Sequence, residues 1–172
     1  PAVLVPYFQK RCKDTDKILK AMYVAAGIGQ IIATRSSISG AAGGCQAEIG
    51  SASSMAAGAL TYLQGGNCEQ IATAAAMAMK NLLGLVCDPV AGLVEVPCVK
   101  RNVIGTVNAM SAADMAMAGI TSRIPPDQVM DAMKEVGDKM DASLRETALG
   151  GLARTEEGVK IAEKMHASQE NW

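Results

Sequence analysis

The chain has 172 residues and a mass of 17.8 kDa, a length that suits one domain with a single core. A hydrophobic fraction of 49% excludes a disordered chain, and an aromatic fraction of only 3% favours packed helices over sheets. Sixteen Lys and Arg against 17 Asp and Glu give a net charge of −1, which argues against a nucleic-acid partner because phosphate binding needs a clustered surplus of positive charge.

The first half of the chain predicts three helices, at residues 14–35, 45–63 and 67–83. Asp14 and Asn67 are good N-cap residues ahead of helical patterns, and Gly65-Gly66 is a stop signal. Residues 36–44 are nearly all Ser, Gly and Ala, which predicts a flexible loop between the first two helices.

The second half is interrupted by two prolines and two glycines within residues 84–100, which predicts a buried, irregular connector. Three further helices are predicted, starting near residues 101, 125 and 155. The sequence therefore predicts an all-α fold, a single-domain helical bundle over residues 1–172 with a buried, cysteine-bearing connector.

The sequence shows no signal peptide and no membrane span, because its long uncharged stretches are short or broken by glycine and polar residues. We expect a cytoplasmic protein without a membrane partner, in which the five cysteines are reduced. Residue 1 is Pro rather than Met, which predicts a processed or shortened chain. The high apolar fraction predicts a homo-oligomer.

Three of the cysteines lie in or beside the predicted loops. Cys45 follows the small-residue loop, and Cys87 and Cys98 lie in the connector. Their spacing matches none of the compact zinc or ferredoxin motifs. From spacing alone, small buried hydrophobic residues are as good an interpretation as metal ligands.

Two blocks around these cysteines, SSISGAAGGCQAEIG at 36–50 and GLVCDPVAGLVEVPCVKRN at 84–102, resemble the iron–sulfur-dependent L-serine dehydratases. The resemblance covers nearly the whole chain and corresponds to the catalytic, or alpha, domain. It implies an all-helical domain in which Cys45, Cys87 and Cys98 are ligands of a [4Fe–4S] cluster. Three thiolates leave one iron open, and such an iron is a Lewis acid that is sensitive to oxygen.

The reaction implied by the resemblance is deamination of L-serine to pyruvate and ammonia, by β-elimination of the hydroxyl group and without pyridoxal phosphate. A glycine- and serine-rich loop before a helix is a favourable anion site, so we expect Ser37, Ser39 and Gly40 to contact the substrate carboxylate. A second group follows Cys98, and its members are candidates for orienting the substrate or for hydrogen bonding to the cluster, with a solvated helix start as the alternative: Lys100, Arg101 and Asn102.

The chain also departs from the family pattern. Members carry a Thr-Ala-Pro-Thr-Asn-Gly-Ala-Ala-Gly type stretch just upstream of the match to residues 1–4, and a beta or regulatory domain, fused or as a separate subunit. We expect the beta domain or subunit to be a partner and the general base to lie outside this chain, since the only histidine, His166, is expected on the surface. We also expect this fragment alone to be inactive. Some members end in a cysteine that fills the open iron position, whereas this chain ends in Trp172.

Three other interpretations of the sequence remain open. A related iron–sulfur lyase, such as an L-cysteine desulfidase, has the same elimination logic and a similar helical domain. A non-catalytic helical interaction domain with buried thiols is a different class. A structural zinc site ranks last, because zinc prefers four closed ligands and no histidine matches the three cysteines.

Overall fold

The computed structural model describes residues 9–169, which are helices and turns without a strand in that range. The α-helices are α1 Thr15–Arg35, α2 Gly40–Gly43, α3 Ser51–Leu63, α4 Cys68–Lys80, α5 Cys98–Met117, α6 Pro126–Lys139 and α7 Glu156–Gln169. A π-helical turn, Gln46–Gly50, precedes α3, and three 3₁₀ turns lie at Val90–Gly92, Ala142–Leu144 and Gly151–Arg154. The predicted all-α class is confirmed for this part of the chain.

The helix starts follow the local capping chemistry. The Asp14 side chain accepts a hydrogen bond from the backbone N–H of Lys17 at 3.1 Å, at the predicted start of α1. Asn67 and Gln70 exchange side-chain and backbone hydrogen bonds in a capping box that begins α4. Both predicted helix starts are confirmed. They could be predicted because capping depends on residues only three apart in sequence.

Two predicted boundaries are wrong. The loop predicted over residues 36–44 contains the helical turn α2, and its N–H groups bond to carbonyl groups within the same segment. Helix α5 begins at Cys98, three residues earlier than predicted, so this cysteine belongs to the first turn of a helix. Both errors arise because glycine and proline content predicts irregular backbone, but neither the short helix α2 between glycines nor the start of α5 directly after Pro97 follows from it.

Helix α3 is the centre of the fold and packs against α1, α4 and α5. Its side chains are mostly Ala, Ser and Gly, so neighbouring helix backbones approach it closely. A Cβ atom at Gly58 would lie 2.2 Å from Cδ1 of Ile28 in α1, so a larger residue there would require the Ile28 side chain to move. The core here is largely alanine on α3, α4 and α5, including Ala57, Ala74 and Ala113.

Buried polar side chains hydrogen bond between these helices. Ser53 Oγ donates to the carbonyl of Gly105 at 2.7 Å, and Ser54 Oγ donates to that of Ala75 at 2.9 Å. Asn108 Nδ2 donates to Ser53 Oγ and to the carbonyl of Ala78, each at 2.8 Å. Each of these three side chains has a hydrogen-bond partner, so none of them adds the cost of an unsatisfied buried polar group. The hydrogen bonds fix the register of α3, α4 and α5.

A second core lies where α6 packs on α1 and α4. It is built from Ile32, Ala76, Met79, Val129, Met130 and Met133. At its exposed edge Arg35 makes a two-point ion pair with Asp131, with Nη2 2.8 Å from Oδ2 and Nε 3.2 Å from Oδ1. The start of α6 is thereby fixed against the end of α1.

The connector, defined here as residues 84–97, is only partly buried. Residues 87–90 are buried, whereas residues 92–96 are exposed. The prediction of a wholly buried connector is therefore wrong for its second part, where Val94 and Val96 gave an apolar pattern but face outwards. Within residues 9–169, no helix is both long enough and apolar enough to cross a lipid bilayer.

The dense alanine core makes a prediction about overpacking. Ala113 is fully buried, so Ala113→Leu forces three extra carbon atoms into filled space and should lower the free energy of unfolding by about 1–3 kcal/mol. Urea denaturation followed by circular dichroism measures the change. The same substitution at the exposed Ala26 on α1 is the control and should change stability by less than about 0.5 kcal/mol. Equal effects at the two sites would contradict the packing described here.

Candidate metal centre

Two cysteine side chains, those of Cys45 and Cys87, come together, and Cys98 is near enough for its charge to raise the pKa of Cys87. Cys45 lies between α2 and the π-helical turn, Cys87 lies in the connector, and Cys98 opens α5. All three are free thiols and all are buried, with exposed fractions of 1%, 2% and 7%. The other two cysteines differ, since Cys68 is exposed and Cys12 is half-buried.

Gln46 holds the connector against the helix that follows Cys45. Its backbone N–H donates to the carbonyl of Leu85 at 2.9 Å. Its buried side chain accepts from the N–H of Gly84 at 2.9 Å and donates to the carbonyl of Met133 at 2.9 Å. A buried amide with partners at both ends is a rigid link, and this one ties the Cys45 and Cys87 segments together and to α6.

Cys87 is placed by an isolated parallel bridge with Arg145. The N–H of Cys87 donates to the carbonyl of Leu144 at 2.8 Å, and the N–H of Glu146 donates to the carbonyl of Cys87 at 2.7 Å. Glu146 has a left-handed backbone, with φ of 64°. The bridge brings the carboxylate of Glu146, a residue late in the chain, close to the thiol of Cys87.

The thiols of Cys45 and Cys87 and a carboxylate oxygen of Glu48 all lie within 4.8 Å of one another. Gly40 faces the same space, because a Cβ atom there would lie 3.1 Å from Cys87 Sγ and 3.2 Å from Glu48 Oε2. Thiolate and carboxylate groups are metal ligands, so this arrangement is a candidate metal site. The missing side chain at Gly40 leaves room beside it.

Asp88 and Arg101 form an ion pair behind the thiols. Arg101 Nη1 lies 2.8 Å from Asp88 Oδ1, 2.9 Å from the carbonyl of Val86 and 3.7 Å from Cys45 Sγ. The second carboxylate oxygen of Asp88 accepts from the N–H of Leu152 at 2.7 Å. The Asp88 side chain is 4% exposed and the Arg101 side chain is 17% exposed. Both charges are therefore largely removed from water, and each is stabilised by the other.

Burial dominates the electrostatics of the thiols. It raises the pKa of Cys87 strongly, helped by the hydrogen bond and charge of Cys45 and by the charge of Glu146. Burial and the charge of Cys45 also raise the pKa of Cys98, which Arg101 partly offsets. Burial therefore disfavours the thiolate forms of Cys87 and Cys98, and a metal ion would supply the positive charge that thiolate ligands require.

Arg101 keeps its charge in this setting. Burial lowers its pKa, but the hydrogen bond and charge of Asp88, followed by those of Cys45, outweigh burial and leave the pKa above its ordinary value. The arrangement is suited to a cluster of sulfur ligands that carries net negative charge.

Not every predicted substrate residue reaches the thiols. Gly40 and Arg101 do, as described above. Ser37 Oγ accepts from the N–H of Ser39 at 3.1 Å and so stabilises the turn before α2, while the Ser39 side chain is exposed. Lys100 is exposed, and Asn102 Nδ2 donates to the carbonyl of Cys98 within α5 at 3.0 Å.

The sequence prediction missed two carboxylates at the site. Glu48 follows Cys45 by three residues in the quoted motif, a spacing that could have indicated a shared helical face. Glu146 had no detectable signal, because a loop bridge in the folded chain brings it close. His166 is exposed, as predicted.

The donor set fits an iron–sulfur cluster better than a zinc ion. Three buried thiols, the side-chain-free Gly40 and a neighbouring guanidinium suit a group that carries several sulfur atoms. A closed tetrahedral zinc site needs a fourth protein ligand, which here would be a carboxylate, from the exposed Glu48 or from Glu146.

Comparison with known proteins places the chain in a family. The family described as "Serine dehydratase alpha chain" matches residues 1–153. The chain is 54% identical over 165 residues to the probable L-serine dehydratase, alpha chain, of Bacillus subtilis, covering 96% of this chain and 55% of that protein. It is 53% identical over 161 residues to the corresponding protein of Latilactobacillus sakei, covering 94% and 77%.

A third relative, the L-serine dehydratase alpha chain of Peptoniphilus asaccharolyticus, is 50% identical over 161 residues, covering 94% of this chain and 55% of that protein. The chain thus spans about half the length of two of these relatives and about three quarters of the third. Its fold is all-helical and it carries a candidate metal site of cysteine and carboxylate groups. The chain belongs to the serine dehydratase alpha chain family.

The buried ion pair predicts a specific loss of stability. Asp88→Asn keeps the side-chain shape but leaves Arg101 without its counter-charge. We expect unfolding to require about 2–3 kcal/mol less, below the ~3–5 kcal/mol of a fully buried pair because Arg101 keeps some contact with water. Asp138→Asn removes an exposed partner of Lys134 and should cost less than about 0.5 kcal/mol. Chemical denaturation of both variants checks the difference, and equal losses would contradict it.

The space beside Gly40 makes a second prediction. Gly40→Ala places a methyl group against Cys87 Sγ and Glu48, so iron bound per chain after anaerobic reconstitution should fall several-fold while the circular dichroism spectrum is retained. Gly27→Ala on α1 is the control, because a Cβ atom there meets nothing within 4 Å. That variant should bind iron normally and gain about 0.5–1 kcal/mol in stability. Full iron uptake by the Gly40 variant would show that the methyl group does not intrude on a metal site.

Proposed function

We propose that this chain is the catalytic part of an iron–sulfur L-serine ammonia-lyase, which converts L-serine to pyruvate and ammonia. The observation that carries the proposal is that the buried thiols of Cys45 and Cys87, far apart in sequence, lie together with Glu48 in a chain from this family. The resemblance of the motifs supports Cys98, which is also buried, as the third ligand. The names of its relatives, L-serine dehydratase alpha chain, support the same substrate.

The proposed cofactor is a [4Fe–4S] cluster held by those three thiolates. With one iron free of a protein ligand, such a cluster supplies a Lewis acid that stabilises the departing hydroxide of serine. Loss of the α-proton and the hydroxide as water leaves an enamine, whose imine tautomer takes up one water to give pyruvate and ammonia. The atoms balance without a redox partner.

The residues of this chain have separable tasks in the proposal. Arg101, fixed by Asp88, donates to Cys45 Sγ and offsets the negative charge of the sulfur ligands. Gly40 leaves room for substrate beside the thiols, and the loop containing Ser37 and Ser39 offers N–H and hydroxyl groups to the substrate carboxylate. We place Lys100 and Asn102 at the rim, where they contribute to the charge and polarity of the entrance.

The proposal includes a partner. The relatives named alpha chain imply a beta chain, and we propose that the complete enzyme pairs this domain with a beta domain or subunit that supplies the general base. A homo-oligomer built on this unit is part of the same proposal. Pyridoxal phosphate has no role in it.

Reconstitution with iron and sulfide under anaerobic conditions tests the cluster. We expect about four irons per chain, with the broad visible absorption of sulfur-to-iron charge transfer. Replacing Cys45, Cys87 or Cys98 by Ser should abolish both signals. The same replacement at Cys12 or Cys68, which lie outside the convergent group, should leave both unchanged.

Turnover tests the substrate. The reconstituted protein, supplied with its beta part, should release pyruvate from L-serine faster than from L-cysteine, and air should abolish the activity together with the visible absorption. Preference for L-cysteine would favour a desulfidase. Absence of iron uptake under every condition would contradict the proposed function.

A further inference from the structure

A small open cavity lies between α1 and the start of α3 and is connected to the thiol group through Glu48. Its volume is about 270 Å³, just below the ~300–1,000 Å³ of sites for drug-sized ligands, so it suits a smaller molecule. Its lining includes Gly29, Gln30, Ala33, Glu48, Ser51 and Ala52. Glu48 therefore belongs both to this cavity and to the group formed with Cys45 and Cys87.

Ser51 has an unpaired hydroxyl in this cavity. Its side chain is 2% exposed, and its Oγ is a buried polar atom with no hydrogen-bond partner in the described part of the chain. The neighbouring Ser53 and Ser54 are equally buried but both donate to carbonyl groups across helix interfaces. An unsatisfied buried hydroxyl costs free energy, and a ligand group that reached Ser51 Oγ from the cavity would remove that cost.

The carboxylates near the thiols differ in the hydrogen bonds and ion pairs that they make. Both oxygens of Asp88 are used, by Arg101 and by the N–H of Leu152. Glu146 also lies near Gly40, with Oε2 3.6 Å from where a Cβ atom would be, but it does not line the cavity. Glu48 lines it, and no hydrogen bond or ion pair to its carboxylate is found in residues 9–169.

The proposed substrate is a zwitterion that needs a partner for each charge. Its carboxylate is assigned to the Ser37–Gly40 loop and its hydroxyl to the metal, which leaves the α-ammonium. We propose that Glu48 and Ser51 form the ammonium site, with the Glu48 carboxylate and the Ser51 hydroxyl accepting hydrogen bonds from the substrate nitrogen. This inference rests on the proposed function and adds two residues to the site.

The test compares two ligands that differ only in the ammonium group, L-serine and 3-hydroxypropionate. Binding to the anaerobically reconstituted protein is followed by the change in visible absorption, and iron per chain is counted in parallel. Glu48→Gln should weaken L-serine binding about tenfold or more, as expected on removal of a charged hydrogen-bond partner, and should leave 3-hydroxypropionate binding and iron content unchanged. Glu163→Gln, an exposed change on α7, is the matched control and should affect neither ligand.

Ser51→Ala separates a ligand contact from a structural role. Removing an unpaired buried hydroxyl should leave the denaturation midpoint of the ligand-free protein unchanged or raise it, while L-serine binding weakens several-fold. A fall in stability together with unchanged L-serine binding would show that Ser51 is structural and would overturn its assignment.

The outcomes distinguish the two proposals. If wild type turns over L-serine but Glu48→Gln weakens both ligands equally, or if Glu146→Gln produces the selective loss instead, the ammonium site is wrong and the proposed function stands. If Glu48→Gln loses iron, Glu48 is a metal ligand and the ammonium site is again wrong. If wild type supplied with its beta part carries a cluster but neither binds nor turns over L-serine, both proposals fail.

Discussion

The buried carboxylate of Asp88 accepts hydrogen bonds at both oxygens, from Arg101 on α5 and from the backbone of Leu152. Through this one group the connector, the start of α5 and the late 3₁₀ turn are held together. Arg101 in turn reaches Cys45, which lies on a fourth segment. Because a lone buried charge is costly, Asp88 and Arg101 are stable only as a pair, and the positions of the three cysteines depend on that pairing.

The rest of the molecule supplies a dense frame for this arrangement. Small side chains on α3 allow close helix contacts, and buried Ser and Asn groups are hydrogen bonded across them. Gln46 extends the frame to the site by bonding to the connector and to α6. Against this background of satisfied groups, the unpaired Ser51 hydroxyl and the uncommitted Glu48 carboxylate are exceptions, and functional sites are where such exceptions are expected.

Local signals in the sequence predicted the helix starts at Asp14 and Asn67, because capping involves residues only three apart. The motifs around Cys45, Cys87 and Cys98 predicted the candidate ligands, and the structure brings Gly40 and Arg101 to them as well. The sequence could not predict Glu146 or the role of Gln46, since both depend on contacts between distant segments. The prediction that the connector is wholly buried was wrong at Val94 and Val96, because apolar residues in a connector can be exposed to solvent.

The central claim is that three cysteines distant in sequence hold one iron–sulfur cluster. Crystals of the anaerobically reconstituted protein, measured at the iron absorption edge, test it most directly through anomalous scattering. The account predicts a single iron peak within bonding distance of Sγ of Cys45, Cys87 and Cys98, next to Gly40. Iron bound elsewhere, or bound by fewer than these three thiols, would contradict it.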